Sequence, residues 1–143
     1  MKKILIFTAT YNEVNNIEKL ITKIKDNCAE ANILIVDDNS PDGTGKLLKE
    51  KALKDSKLKV VVRVGKLGLD TAHKFAYEYA LSNNYDYLIT MDADLSHNAS
   101  EIPNFLKHIN NNDFVLGSRY MAGGKNKLGL LRFLLSYFGN KFI

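Results

Sequence analysis

The chain alternates short apolar runs with stretches whose apolar residues recur at helical spacing. Residues 4–8 (ILIFT) form one uninterrupted run and predict a first strand. The next segment repeats apolar residues at Ile17, Leu20, Ile21, Ile24 and Cys28, the spacing of a helix with one buried stripe. Residues 33–36 then predict a second strand and 44–54 a second helix. A third strand over 59–64 leads to a helix over 69–82, with Ala72, Phe75, Ala76, Tyr79 and Ala80 on adjoining faces. Residues 87–91 predict a fourth strand, 100–110 a helix with Ile102, Phe105, Leu106 and Ile109, and 114–116 a short fifth strand. Strand–helix alternation of this kind builds right-handed βαβ units. The pattern therefore predicts an α/β domain with a mainly parallel central sheet flanked by helices. No repeat, low-complexity tract or linker interrupts the 143 residues, which read as one domain, 1–143.

Composition adds bounds. With 45% hydrophobic and 25% charged residues the chain is that of a globular domain. A net charge of +4 permits anionic ligands or acidic membrane surfaces but singles out none, and nothing points to nucleic acid. The basic residues are 17 Lys and 3 Arg, so Arg63, Arg119 and Arg132 are the positions suited to bidentate phosphate contacts. The single cysteine, Cys28, cannot form an internal disulfide and fits a reduced, cytoplasmic setting. The start, MKKILIFTATYN, is too short for a signal peptide, and no uninterrupted apolar stretch reaches the length of a spanning helix. Residues 128–139 (LGLLRFLLSYFG) are apolar nearly all round. Two readings stand for them: a core helix of a domain that continues past Ile143, or a segment lying against a membrane surface.

In a parallel sheet the strand ends converge on one edge, which is where open α/β sheets bind ligands. After the first strand comes TATYNE (8–13), where Tyr11 suits stacking on a base and Glu13 suits accepting from a base or ribose donor. The same residues also read as a helix start with Asn12 as cap and Glu13 in the first turn. After the second comes VDDNSPDGT (36–44), where Asp37, Asp38, Asn39 and Ser40 offer acceptors and Pro41 to Gly43 read as a turn. Paired acids at the end of a buried strand are costly unless something uses them. Arg63, with Gly65 and Gly68 behind it, ends the third strand in a loop without P-loop spacing. After the fourth comes LITMDADLSH (88–97), which delivers Asp92 and Asp94. Two hard oxygen donors suit Mg²⁺ or Mn²⁺ carrying a diphosphate; taken alone they also read as a solvated strand end. His97 reads better as a loop histidine packing beside these acids than as a ligand, because Mg²⁺ prefers oxygen.

The fragments TYNE, VDDNSPDGT, MDADLSH and GSRYMAGG, in this order, resemble the GT-A glycosyltransferases of family 2, and within them the dolichol-phosphate or polyprenol-phosphate mannosyltransferases. The resemblance covers practically the whole chain. It implies a GT-A (Rossmann-like) nucleotide-sugar-binding domain that moves mannose from GDP-mannose to a polyprenyl (dolichyl) phosphate with inversion, using Mg²⁺ or Mn²⁺. Its implied nucleotide positions here are Thr8, Tyr11, Glu13, Val36, Asp37, Asp38 and Lys66. Asp92, Asp94 and Ser96 would stand at the metal and the donor diphosphate. Arg119, in GSRY, and Arg132, with Ser136 nearby, would hold donor and acceptor phosphates. A lipid acceptor implies work at a membrane surface, peripherally on the cytoplasmic face, and a homo-oligomer is compatible with the sequence. Relatives of this kind run on well past Ile143, so the domain is expected to be incomplete at its C-terminus. A nucleotide-sugar-binding remnant without turnover, or a family 2 enzyme using another sugar or a polysaccharide acceptor, are the alternatives. The chain departs from the family pattern at Asp70, where Gly is usual, near Phe75, where a small Gly is lacking, and at Asn98, where Pro is usual.

Overall fold

In the computed structural model, which describes residues 2–118, the first apolar run becomes strand β1 (Ile4–Thr10). Ala9 and Thr10 extend it because they continue the ladder to β2 (Asn32–Asp37). β3 (Leu58–Val62) and β4 (Tyr87–Thr90) complete a four-stranded parallel sheet in the order β3-β2-β1-β4. The helices are α1 (Ile17–Asn27), α2 (Thr44–Ala52), α3 (Leu69–Ser82) and α4 (Ile102–Ile109), the last entered through a 3-10 turn at Ala99–Glu101. Among the described residues no helix is long and apolar enough to cross a membrane.

The pleat of the sheet sorts the apolar runs into two cores. Ile4 and Ile6 of β1 and Ile33 and Ile35 of β2 face one side, where the α1 stripe (Ile17, Leu20, Ile21, Ile24, Cys28) and Leu48 of α2 cover them. Leu5, Phe7, Leu34 and Val36 face the other, against Ala72, Ala76 and Ala80 of α3. Strands buried on both faces explain why their sequences are continuous apolar runs. The placement also satisfies handedness. The chain steps from β1 to β3 in one direction with α1 and α2 on one face, then steps back past β1 to β4 with α3 on the other.

The chain divides into two compact units, residues 1–107 and 108–143, and the sheet belongs to the first. Of the second, residues 108–118 are described. The fifth strand expected over 114–116 does not form there: the segment is irregular and joins no ladder among the described residues. A three-residue apolar run becomes a strand only when a neighbour pairs with it, and no segment does so among the described residues. Arg119, Arg132 and Ser136 lie outside the described residues.

Candidate active site

The strand order reverses at β1, with β2 on one side and β4 on the other. Such a switch point is where open α/β sheets bind ligands, outside the carboxyl ends of the strands. The loops that leave β1 and β4 are TYNE and MDADLSH. Main-chain bonds carry the sheet slightly past its strands at this edge: Asp38 N donates to Thr10 O (3.1 Å), Arg63 N to Asp37 O (2.8 Å) and Met91 N to Phe7 O (2.9 Å).

Asp37 and Asp38 are neighbours in sequence but serve opposite faces. Asp37 is fully buried on the α2 side, where Ser40 donates to it through its hydroxyl (2.5 Å) and its amide (3.0 Å). Gly45, in the first turn of α2, passes so close that a Cβ there would stand 2.8 Å from Asp37 Oδ2. Asp38 turns toward the α3 side and takes the Arg63 guanidinium together with the amides of Leu67 (3.2 Å) and Gly68 (3.0 Å). Arg63 also donates to the Thr71 hydroxyl and to Gly68 O. The desolvation cost of the acid pair is therefore offset within the protein, with no ligand needed to offset it.

The turn residues of VDDNSPDGT reach the β1 loop. Asn12 N donates to Ser40 Oγ (2.9 Å), Glu13 N to Thr44 Oγ1 (3.1 Å) and Val14 N to Asp42 Oδ2 (3.1 Å). Partial burial works to raise the Asp42 pKa, but the hydrogen bonds from Thr44 and Val14 outweigh it and hold the carboxyl below its usual range. Asn12 adopts the left-handed conformation (φ 62°), which asparagine tolerates, so it is a loop residue and not the cap of α1. The helix starts only at Ile17, after Glu13 O has accepted from the amides of Asn16 (3.0 Å) and Ile17 (2.9 Å). Glu13 also accepts from Asn16 Nδ2 (2.8 Å). Tyr11 is 38% exposed, and Lys66 Nζ sits 4.0 Å from the centre of its ring. Two residues expected at the nucleotide are thus in contact. Thr8 and Val36, also expected at the nucleotide, are buried in β1 and β2; the Thr8 hydroxyl finds no partner among the described residues.

In the β4 loop burial alternates: Met91 and Ala93 are buried while Asp92 and Asp94 are exposed. Both carboxylates therefore leave the core on the solvent side. The Ser96 amide (2.8 Å) and then the Ser96 hydroxyl hold the Asp94 carboxyl below its usual range. Asp92 N donates to His97 Nδ1 (3.1 Å), which assigns the ring proton to Nε2, 3.4 Å from Asp92 Oδ2. His97 thus braces Asp92. Leu95, between the two, has φ 63°, a conformation that costs a leucine about 1–2 kcal/mol, and its side chain packs on the α1-side core. Asn98, where proline is usual, keeps a φ of −81° and accepts from Ser100 N (3.2 Å), so the departure from the pattern preserves the turn. Asp70 falls in the first turn of α3, where an acid suits the helix dipole.

Among the described residues no three His, Cys, Asp or Glu side chains converge as a metal cage. Mg²⁺ and related ions commonly take one or two protein carboxylates and complete their shell with substrate phosphate and water. Asp92 and Asp94 fit that donor set.

The profile of the family described as "Glycosyl transferase family 2" matches residues 5–141. The chain belongs to glycosyltransferase family 2. It is 37% identical over 123 residues to the undecaprenyl-phosphate mannosyltransferase of Micrococcus luteus, covering 86% of this chain and 51% of that protein. It is 38% identical over 125 residues to the polyprenol monophosphomannose synthase of Mycolicibacterium smegmatis, covering 86% and 47%. With the dolichol-phosphate mannosyltransferase of Pyrococcus furiosus it shares 37% over 127 residues, 86% and 35% of the two chains. The chain spans about half the length of these relatives, or less. Among solved structures, the mannosyltransferase PcManGT of Pyrobaculum calidifontis, in complex with GDP-Man and Mn²⁺, superposes with a TM-score of 0.66 at 22% identity. That match covers 77% of this chain and 33% of the other and shows the shared GT-A fold.

In this family 2 domain, the sequence reading offered Ser40 as a ligand acceptor, Asp42 as part of a turn, Thr44 as a helix start and Arg63 as the end of the third strand; it missed the bonds of the first three to the β1 loop and that of Arg63 to Asp38. The only signal for the first three was the density of short oxygen-bearing side chains in SPDGT. For Arg63 it was the rarity of arginine, three against 17 lysines.

Proposed function

We propose that this domain is a metal-dependent inverting glycosyltransferase that moves mannose from GDP-mannose to a polyprenyl phosphate. The observation that carries the reading is the exposed pair Asp92 and Asp94 at the switch point of the sheet, beside the Tyr11 and Glu13 loop. The choice of mannose and of a lipid phosphate draws support from the relatives at 37–38% identity, which are named as polyprenyl-phosphate mannosyltransferases.

In this reading Tyr11 offers its open ring face to the guanine, Glu13 accepts from a base or ribose donor, and Lys66 adds positive charge beside them. Asp92 and Asp94, with Ser96 orienting the second, hold Mg²⁺ or Mn²⁺. When bound, the ion supplies Lewis-acid neutralisation of the leaving diphosphate. Arg119 and Arg132, with Ser136, are assigned the donor and acceptor phosphates. A phosphate monoester has a second pKa of about 6, so the acceptor arrives largely ionised and needs no strong base. His97, committed to bracing Asp92, is therefore not required as one. Rate then comes from holding the acceptor oxygen in line with the sugar carbon, opposite the leaving group. A lipid acceptor sets the reaction at a membrane surface, assigned to the cytoplasmic face.

The test is thermal unfolding with GDP or UDP, with and without Mn²⁺, followed by transfer of radiolabelled mannose into organic-extractable lipid. A ligand that binds only the native state at a hundred times its Kd adds about 2.7 kcal/mol. GDP with Mn²⁺ is expected to raise the Tm, and Asp92→Ala to remove the metal-dependent part. A preference for UDP would overturn the donor, and GDP binding without a lipid product would reduce the domain to a binding module.

A further inference from the structure

Four residues other than glycine adopt a left-handed backbone among the described residues: Asn12, Asn39, Asn84 and Leu95. Asparagine enters that region readily because its short polar side chain bonds locally, whereas in leucine the Cβ crowds the following carbonyl. A turn that needed only this backbone would be served by asparagine or glycine. The side chain at position 95 therefore has a use that neither of them supplies. Between Asp94 and Asn98 every residue is exposed except Leu95, which is half-buried and packs on the α1-side core. Met91 and Ala93 enter the same core before it, and Ala99 and Ile102 after it. Leu95 is thus the one apolar fastening of the stretch between Ala93 and Ala99.

The turn at Leu95 decides what its neighbours reach. It folds the chain back so that Ser96 N donates to Asp94 Oδ1 (2.8 Å) and His97 Nδ1 accepts from Asp92 N (3.1 Å), with His97 Nε2 3.4 Å from Asp92 Oδ2. Each acid is braced by a residue on the far side of Leu95. Backbone strain of this kind persists only where the surrounding structure over-determines it, and here the apolar side chain seated in the core does so. Resting on the metal-site reading above, we propose that Leu95 is a positioning residue for the Asp92 and Asp94 pair. It acts through Ser96 and His97, holding the turn that sets two exposed carboxylates in place before an ion arrives. Carboxylates arranged in advance need not be arranged by the ion, and the difference appears as metal affinity.

The test uses the 143-residue chain with three substitutions at one position. Leu95→Gly relaxes the backbone and removes the anchor, Leu95→Ala removes the anchor alone, and Leu95→Met keeps it. Leu58→Ala, in the same core but at the first residue of β3 and so at the amino edge of the sheet, is the control for lost stability. Calorimetry gives the ratio of GDP affinities with and without Mn²⁺, and NMR amide shifts of residues 92–97 read the loop with no metal added. Leu95→Gly and Leu95→Ala are expected to move the Asp92 and Ser96 amides toward random-coil positions. Both should lower the affinity ratio by about tenfold, or to one where the parent's own ratio is smaller, the low end for losing a group that supports metal ligands. Leu95→Met is expected to stay within about twofold, since the two side chains have similar volume. Leu58→Ala should lower the Tm and leave the ratio alone. A Leu95→Gly chain with the parent's ratio would show that the turn alone suffices and would overturn the role of the side chain. A lower Tm for Leu95→Ala with unmoved amides and an unchanged ratio would make Leu95 ordinary core, as Leu58 is. If the parent shows no gain with Mn²⁺, the metal reading falls and the affinity part of this inference with it. Unmoved amides in the metal-free variants would then overturn the rest, and moved ones would support it.

Discussion

Cys28 shows how burial alone can decide a residue's chemistry. It closes the buried stripe of α1, and burial first, then the neighbouring Glu30 carboxylate, push its thiol up to about 11. Thiolate is the reactive form, so at pH 8 Cys28 is expected to resist alkylation in the folded chain and to label fully in denaturant, which mass spectrometry of the modified protein checks. Asp55 runs the other way. The Lys25 ammonium holds its carboxyl below the ordinary value of 3.8. A depressed folded value gives stability that is present above the unfolded pKa and lost as pH falls through the folded one. Asp55→Asn is expected to lower the Tm at pH 6 and to approach the parent as pH drops below 3.8; the effect is at most about 1 kcal/mol because Lys25 is half exposed. At this scale Asp92 and Asp94 were legible, since alternate residues beyond a strand leave on one side. The partners of Asp38 were not. Arg63 lies 25 residues away, and only the register of β3 against β2 brings it alongside.

Elements with one clear stripe, α1 above all, were legible from spacing, because a single buried face fixes both the helix and what it packs on. The short terminal strand failed for the opposite reason: pairing is a property of two segments and cannot be read from one. The beginning of α4 moved to Ile102 because Asn98 and the 3-10 turn take the first residues. Helix α3 packs through Ala72, Ala76 and Ala80, small residues at one-turn spacing that let its backbone approach the sheet. Ala76→Leu should overpack this face and cost about 1–3 kcal/mol in urea unfolding. Gly45→Ala is expected to cost a similar amount, since the added methyl meets the buried Asp37 Oδ2 at 2.8 Å and the half-buried Val62 at 3.2 Å.

At the scale of the whole sheet, the described residues sort into two cores, one on each face. Ile6 and Phe7 are adjacent in sequence yet belong to different cores. Ile6→Val is expected to cost about 0.5–1.5 kcal/mol. Phe7→Leu should cost more, and the double variant should equal the sum within about 0.5 kcal/mol, because the side chains share no partner. The same division reaches the carboxyl edge of the sheet. The stretch after β2 reaches both neighbouring loops, so the surface proposed to meet the nucleotide is encoded in segments that are distant in sequence but adjacent in space. Anyone exchanging nucleotide specificity between homologous enzymes by grafting TYNE alone would transplant amides without their acceptors. Residues 10–14 and 37–44 are a cassette, to be moved together, and recombination crossovers that fall between them would yield chimaeras folded in outline yet poorly formed at the point of recognition.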